Sequence, residues 1–135
     1  MKGINWVAVI VATVVVWLLG YLCFGVVFAD AYRAASPPGT PAIALNLETA
    51  KLLVPVFVSM AVLAWLLARA GSAGLGSALV TAGVVCIGFD TTVYAANYLT
   101  GAPLHLMVML AVFDFVTFLI GAAILTLMKG RAAAA

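Results

Sequence analysis

Four apolar segments constrain this chain more than any other feature of its sequence. The first runs from about Ile4 to Phe28 without a charged residue, and three more follow after short breaks. The hydrocarbon core of a bilayer is roughly 30 Å thick and takes about 20 helical residues per crossing. Each segment is therefore long enough to span a membrane. Hydrophobic residues make up 67% of the chain and charged residues 7%, which excludes an ordinary soluble domain.

The breaks between these segments predict the number of helices. SPPGTP ends the first segment, because consecutive prolines remove backbone donors and hold the chain extended. GSAGLG and TGAP are short turns. The predicted helices cover about 4–33, 47–70, 75–98 and 104–128. We therefore expect an all-α integral membrane protein in which residues 1–135 form one transmembrane domain, with the four helices in a compact antiparallel bundle.

The first segment has a signal peptide as its alternative interpretation. Lys2 precedes the apolar run, and Val27-Phe28-Ala29 resembles a small-residue cleavage site. The run is longer than the roughly 7–15 residues of a signal core. Its length favours a retained transmembrane helix.

Pro55 lies inside the second predicted helix. A proline in a helix interior removes a hydrogen bond and kinks the helix. We expect a kink at Pro55 unless the helix begins later than residue 47. Asn46 and Thr49 are both suited to cap its N-terminus, and Glu48 would lie near the positive end of the helix dipole.

The distribution of basic residues predicts the orientation. With four crossings both termini lie on one side, together with the turn between the second and third helices. Four basic residues belong to that side: Lys2, Arg69, Lys129 and Arg131. Arg33 and Lys51 belong to the other. Because basic residues are retained on the cytoplasmic side, we expect both termini in the cytoplasm.

Asp90 and Asp114 are acids inside the third and fourth segments. Residues at helical spacing place Asp90 on a polar face of the third helix: Gly83, Cys86, Ile87, Asp90, Tyr94 and Asn97. The same spacing recurs in the fourth helix: Asp114, Thr117 and Gly121. Asp90 precedes the turn at Gly101 by 11 residues and Asp114 follows it by 13. At a rise of about 1.5 Å per residue, the two carboxyl groups differ in depth by only about 3 Å.

An ionised carboxylate at this depth is costly, and no Lys or Arg of the sequence falls in the middle of a segment. Each acid must hold a proton, accept hydrogen bonds or receive a cation. The available donors are Tyr94, Asn97 and Thr117. Two interpretations stay open. Asp90 and Asp114 line a polar cavity for proton or solute passage, or they are hydrogen-bonding groups that hold helices or protomers together.

Aromatic residues form a stripe along the first helix, with steps of 4, 3, 4 and 4 residues: Trp17, Tyr21, Phe24, Phe28 and Tyr32. A stripe at helical spacing is more often packing than a binding site. We therefore interpret it as packing.

The cysteines and the histidine give weaker signals. Cys23 and Cys86 occur in the similar hexapeptides GYLCFG and GVVCIG, a pattern of either two related hairpins or chance. Neither belongs to a Cys-x-x-Cys motif, which favours buried apolar roles for both. His105 shares a face with Met109 alone, and one pair does not make a metal site. We expect no metal and no other cofactor, and the lack of a basic run excludes a nucleic-acid partner.

The two ends of the chain carry short motifs of glycine and aromatic residues. At the N-terminal end these are Asn5, Trp6, Gly20, Tyr21, Phe24, Phe28 and Tyr32. At the other end they are the Gly-Phe, Asn-Tyr-Leu and Pro-Leu pieces of GFDTTVYAANYLTGAPLHL. With these motifs the chain resembles a family of small bacterial membrane proteins catalogued as domain of unknown function 1761. The resemblance implies a four-helix fold in the bacterial inner membrane, and it supplies no activity or catalytic residue.

Two functions fit these observations. The first is a transport or channel-like module, a homo-oligomer and most simply a dimer, because four helices alone rarely enclose a pathway. The second is an accessory or assembly subunit that docks on a larger membrane complex. An enzyme is not expected, since the sequence shows no clustered nucleophile, metal triad or phosphate loop. Five glycines would permit close helix contact in either case: Gly20, Gly25, Gly83, Gly88 and Gly121.

Overall fold

The computed structural model describes residues 4–36, 38–39, 43–71 and 74–132, with side chains as far as Met128. This part of the chain is helical and contains no strand. Four segments are long and apolar enough to cross a membrane, and we call them the spans: Trp6–Val27, Leu47–Arg69, Leu75–Leu99 and Leu104–Met128. Length and hydropathy together indicate a membrane protein.

The first span is not one regular helix. Helix α1 covers Trp6–Tyr21, a π-helical segment follows over Leu22–Val27, and α2 covers Ala29–Ala35. Asn5 caps α1 by accepting a hydrogen bond from the Ala8 amide at 3.2 Å. The continuous helix expected over 4–33 is therefore interrupted, because the backbone leaves the helical region at Phe28 (φ −110°, ψ 22°).

The second span begins with a short helix. Helix α3 covers Leu47–Ala50, with Asn46 as its N-cap, and α4 covers Leu53–Arg69. Pro55 consequently falls in the first turn of α4, where its missing N–H would have no partner within the helix. The long helix therefore begins later than residue 47, which was the alternative to a kink at this proline.

The third and fourth spans are long helices. Helix α5 covers Leu75–Leu99 and α6 covers Leu104–Ala132. Gly101 adopts a φ of +97°, which permits the tight turn between them. The Ala102 amide donates to the Asn97 carbonyl at 3.0 Å and closes the end of α5. Of the loops, Pro37, Thr40, Pro41 and Ser72 lie outside the described residues.

One apolar cluster joins α1, α4, α5 and α6. Its buried members are Ala8, Val9, Ala12, Val16, Met60, Leu63, Leu67, Ala78, Ala82, Ala122 and Leu125. Gly121 allows α6 to approach α4 closely, since a Cβ there would lie 2.6 Å from the Met60 sulfur. The Asn5 side-chain amide also donates to the Met128 carbonyl at 3.2 Å. The first residues of α1 therefore lie beside the later turns of α6.

A second, smaller cluster lies towards the opposite end of α6. It contains Ala35, Leu106 and Met107, with Tyr32 and Tyr94 packed against it. The middle of α6, between the two clusters, lines a cavity instead.

Candidate functional site

The four acids of the chain occupy two kinds of position. Asp30 Oδ1 lies 3.7 Å from Arg33 Nη1, and Glu48 Oε1 lies 2.7 Å from Lys51 Nζ, both pairs outside the middle of the spans and largely exposed. The other two acids lie within α5 and α6, and they form no ion pair with any described residue. These two require another source of stabilisation.

Asp114 receives that stabilisation from α5. The Tyr94 hydroxyl donates a hydrogen bond to Asp114 Oδ2, which joins the two helices at a half-buried position. Thr117 is buried but does not serve this carboxylate. Its hydroxyl donates to the backbone carbonyls of Phe113 and Asp114, each at 3.0 Å. Tyr94 and Asp114 are therefore the part of the predicted polar site that the structure brings into direct contact across two helices.

A cavity of about 310 Å³ opens beside Asp114. Its walls come from α1, the π-helical segment, α4 and α6, and from the chain around α3. The lining residues are Val16, Trp17, Gly20, Tyr21, Phe24, Ile43, Thr49, Leu52, Pro55, Val56, Ser59, Met60, Leu110, Phe113, Asp114, Thr117 and Phe118. The surface is almost entirely apolar. A largely apolar cavity with a few polar groups is the usual form of a small-molecule site.

The π-helical segment shapes one wall of this cavity. The Phe28 amide donates to the Cys23 carbonyl at 2.7 Å, a bond five residues long that widens the helix. Phe24 lies inside this segment and packs edge-on against Phe113 of α6, with ring centroids 4.8 Å apart. Single π-helical turns occur often at functional sites. Here the turn directs an aromatic ring into the cavity wall.

The chain before α4 covers the cavity from another side. The Trp17 indole N–H donates to the Thr49 carbonyl at 2.9 Å, and the Thr49 hydroxyl donates to the Ala44 carbonyl. Gly25 lets this segment approach the π-helical turn, since a Cβ there would lie 3.0 Å from the Ile43 carbonyl and 2.9 Å from the Tyr21 ring. The covering segment is therefore fixed to α1 by a hydrogen bond and lies in close contact with the π-helical segment.

Asp90 has different surroundings from Asp114. It lines a separate and more open groove of about 340 Å³ on the outer side of α5 and α6: Ile87, Asp90, Thr91, Tyr94, Ala111, Val112 and Phe115. The Cys86 thiol donates to Asp90 Oδ2 at 2.9 Å. Tyr94 lines this groove, while its hydroxyl bonds Asp114 of the cavity. The two acids thus lie on different concave surfaces, and Tyr94 lies between them.

The other residues of the predicted polar site and of the aromatic stripe lie partly on the cavity wall and partly away from it. Asn97 is exposed and donates to the Val93 carbonyl of its own helix at 3.0 Å, away from both acids. Of the aromatic stripe, Trp17, Tyr21 and Phe24 line the cavity, whereas Phe28 is 48% exposed. Tyr32 packs on Phe24 with ring centroids 5.4 Å apart. Most of the stripe therefore combines packing with a place on or beside the cavity wall.

The similar hexapeptides around the cysteines adopt different conformations. GYLCFG enters the π-helical segment, whereas GVVCIG lies in the regular helix α5. Cys86 is fully buried as expected, but its bond to Asp90 was not foreseen, although the spacing of four residues on one helix face was a signal for it. His105 is exposed, and within the described ranges no three His, Cys, Asp or Glu side chains are grouped to hold a metal ion.

Comparison with known proteins places the chain in one family. The family model described as "Protein of unknown function (DUF1761)" matches residues 7–126, which include all four spans almost completely. No curated protein and no solved structure matches. The resemblance suggested by the motifs at the two ends of the chain is confirmed. The chain therefore belongs to the family described as protein of unknown function (DUF1761).

Proposed function

We propose that this protein is a transport or channel-like module of the bacterial inner membrane that moves a proton or a small solute through the cavity beside Asp114. In this proposal the spans form a compact antiparallel bundle with both termini in the cytoplasm. The contact between Asn5 and Met128 supports the antiparallel arrangement, and the distribution of basic residues supports the orientation.

The position of Asp114 is the observation that carries the proposal. It lies in the middle of α6, between two apolar clusters, and faces a cavity whose described lining contains no basic residue. Acids in such positions line ion and proton pathways in many membrane proteins. Tyr94 holds the carboxylate in place while the cavity leaves it open to a proton or a solute.

Flux in liposomes tests this proposal. The purified protein is reconstituted, a membrane potential is imposed with potassium and valinomycin, and proton entry is followed with an enclosed pH-sensitive dye. We expect Asp114→Asn to abolish flux, because the amide keeps the shape but cannot exchange a proton. Asp90→Asn is the matched control at similar depth, and it should keep most of the flux. Wild-type proton flux in both variants would contradict the role of Asp114. No flux of protons or of an added organic cation with the wild-type protein would leave the accessory role instead.

The orientation has its own test. Cys23→Ala and Cys86→Ser remove the native thiols, and single cysteines then replace the exposed residues Ala34 and Ala70. A membrane-impermeant maleimide applied to intact spheroplasts should label the cysteine at position 34. It should reach position 70 only after the membrane is opened. The reverse pattern would contradict cytoplasmic termini.

The outer side of α5 favours assembly with a second copy of this chain. Asp90 and Thr91 lie on this side together with Ile87, which is 58% exposed. A face that carries both a carboxylate and a hydroxyl can pair with itself about a two-fold axis. The protein should therefore run as a homodimer in mild detergent, and Thr91→Cys should cross-link more readily than Leu18→Cys on the exposed side of α1. A monodisperse monomer would count against the dimer, and a stoichiometric foreign protein would support the accessory role.

A further inference from the structure

Five aromatic rings line the wall of the cavity. Trp17, Tyr21 and Phe24 approach from α1 and the π-helical segment, and Phe113 and Phe118 approach from α6. The face of an aromatic ring carries negative electrostatic potential and attracts cations, most strongly where water is excluded. Where their faces border the cavity, these rings favour a positively charged group over a neutral or negative one.

The same cavity contains one acid and no base. Asp114 is the only charged residue among the described lining residues. The described basic side chains are occupied elsewhere. Arg33 and Lys51 each pair with the acid three residues earlier, and Arg69 Cζ lies 5.6 Å from the centroid of the Trp65 ring. When Asp114 is ionised, nothing in the described protein neutralises it, and a ligand that brings a positive charge does so.

The size and polarity of the cavity restrict the rest of the ligand. A volume of about 310 Å³ is near the lower end of the roughly 300–1,000 Å³ typical of small-molecule sites. Polar groups on the wall are few, and the Trp17 N–H and the Thr117 hydroxyl are already bonded to backbone carbonyls. A sugar or another ligand with many hydroxyl groups would lose its hydrogen bonds to water without replacing them. The body of the ligand is therefore small and apolar.

We propose that the cavity binds a small lipophilic cation, an amine or quaternary ammonium with an apolar body, whose charge lies between Asp114 and the aromatic rings. The inference names the solute class of the proposed transport module and rests on that function only in using the same cavity. Binding in detergent is measured without any flux, so the two can fail separately. Cation binding without flux of protons or of the cation would keep this inference and remove transport. Proton flux without cation binding would keep transport and remove this inference.

The test uses benzyltrimethylammonium and its uncharged carbon isostere, neopentylbenzene. Trp6→Phe and Trp65→Phe leave Trp17 as the sole tryptophan of the chain, so its emission reports occupancy of the cavity. We expect the cation to bind at least about tenfold more tightly than the isostere, from the ion pair and the ring contacts together. Neither substitution alters a residue that lines the cavity. Equal affinities for the two probes, or no binding of the cation, would overturn the inference.

Substitutions of the acids and of one ring then test where the positive charge of the ligand lies. Asp114→Asn should weaken cation binding by about tenfold or more and leave the isostere unchanged, while Asp90→Asn should change neither by more than about twofold. Phe113→Leu keeps an apolar wall and should weaken the cation more than the isostere, because only the ring attracts charge. A cooperative melting transition confirms that each variant is folded. Equal losses in Asp114→Asn and Asp90→Asn would overturn the placement and with it the inference.

Discussion

Asp90 and Asp114 look alike in the sequence and differ in the structure. Both are acids in the middle of apolar helices, and their distances from the turn at Gly101 differ by two residues. Asp114 faces an aromatic cavity between helices and accepts a hydrogen bond from the Tyr94 hydroxyl. Asp90 faces an outer groove and accepts one from the Cys86 thiol of its own helix.

The difference shows what helical spacing can and cannot predict. Residue counting from a turn gives the depth of a side chain along its helix. The direction in which the side chain points depends on which neighbouring helices surround it. Helix α5 packs chiefly on α6, whereas α6 also packs on α1 and α4. An acid of α6 can therefore face an interior cavity, while an acid of α5 on the groove faces outward.

The largest stability effect we predict contrasts two glycines. Gly25→Ala should destabilise the protein by about 1–3 kcal/mol, because its Cβ would collide with the Tyr21 ring and the Ile43 carbonyl at the cavity. Gly88→Ala, on the groove-bearing helix, meets nothing within 4 Å and should be neutral or slightly stabilising. Unfolding by titration with sodium dodecyl sulfate measures both. Equal effects would show that the cavity wall is less tightly packed than the contacts indicate.

The next effect contrasts the donors to the two acids. Tyr94→Phe deletes the hydroxyl that serves Asp114 in a half-buried site, and it should cost about 1–2 kcal/mol. Cys86→Ser keeps a donor of similar size for Asp90 and should change stability by less than about 1 kcal/mol. The same detergent titration compares them. A larger loss of stability for Cys86→Ser would contradict the claim that Asp114 depends more on its donor than Asp90 does.

The smallest effect on stability that we predict compares a hydrogen bond between distant residues with one inside a single helix. Trp17→Phe removes the indole bond to the Thr49 carbonyl, which fixes the segment that covers the cavity, and should cost about 1 kcal/mol. The amides of residues 47–50 should then exchange with deuterium faster. Thr91→Val removes only a bond to the Ile87 carbonyl within one helix and should stay within about 0.5 kcal/mol. Unchanged exchange in Trp17→Phe would mean that other contacts hold the segment.

Much of the helical content followed from the sequence, because long apolar segments and proline or glycine breaks limit where helices can begin and end. The π-helical segment could not be predicted, since LCFGVV reads as an ordinary apolar stretch. Its wider turn is accompanied by contacts with Phe113 and Ile43, which are distant in the sequence. The start of α4 beside Pro55 was an open alternative that local sequence could not decide.

The candidate site was only partly predictable for the same reason. Asp114 and Tyr94 were identified from polarity inside apolar segments, and the structure places them in contact. The cavity was not foreseen, because it depends on how α1, α4 and α6 meet around small and aromatic residues. Asn97 and Thr117 were expected to serve the acids, but each bonds a backbone carbonyl three or four residues earlier in its own helix. Such local bonds compete with longer ones whenever the hydroxyl or amide is near the helix backbone.

The central claim is that Asp114, and not Asp90, is the acid that binds the cation. Infrared difference spectroscopy of the carboxyl bands tests it most directly. Spectra of the protein in lipid are recorded with and without benzyltrimethylammonium. We predict a carboxyl difference band that persists in Asp90→Asn and disappears in Asp114→Asn. A band that disappears in Asp90→Asn and persists in Asp114→Asn would contradict this claim and would place the cation site in the outer groove.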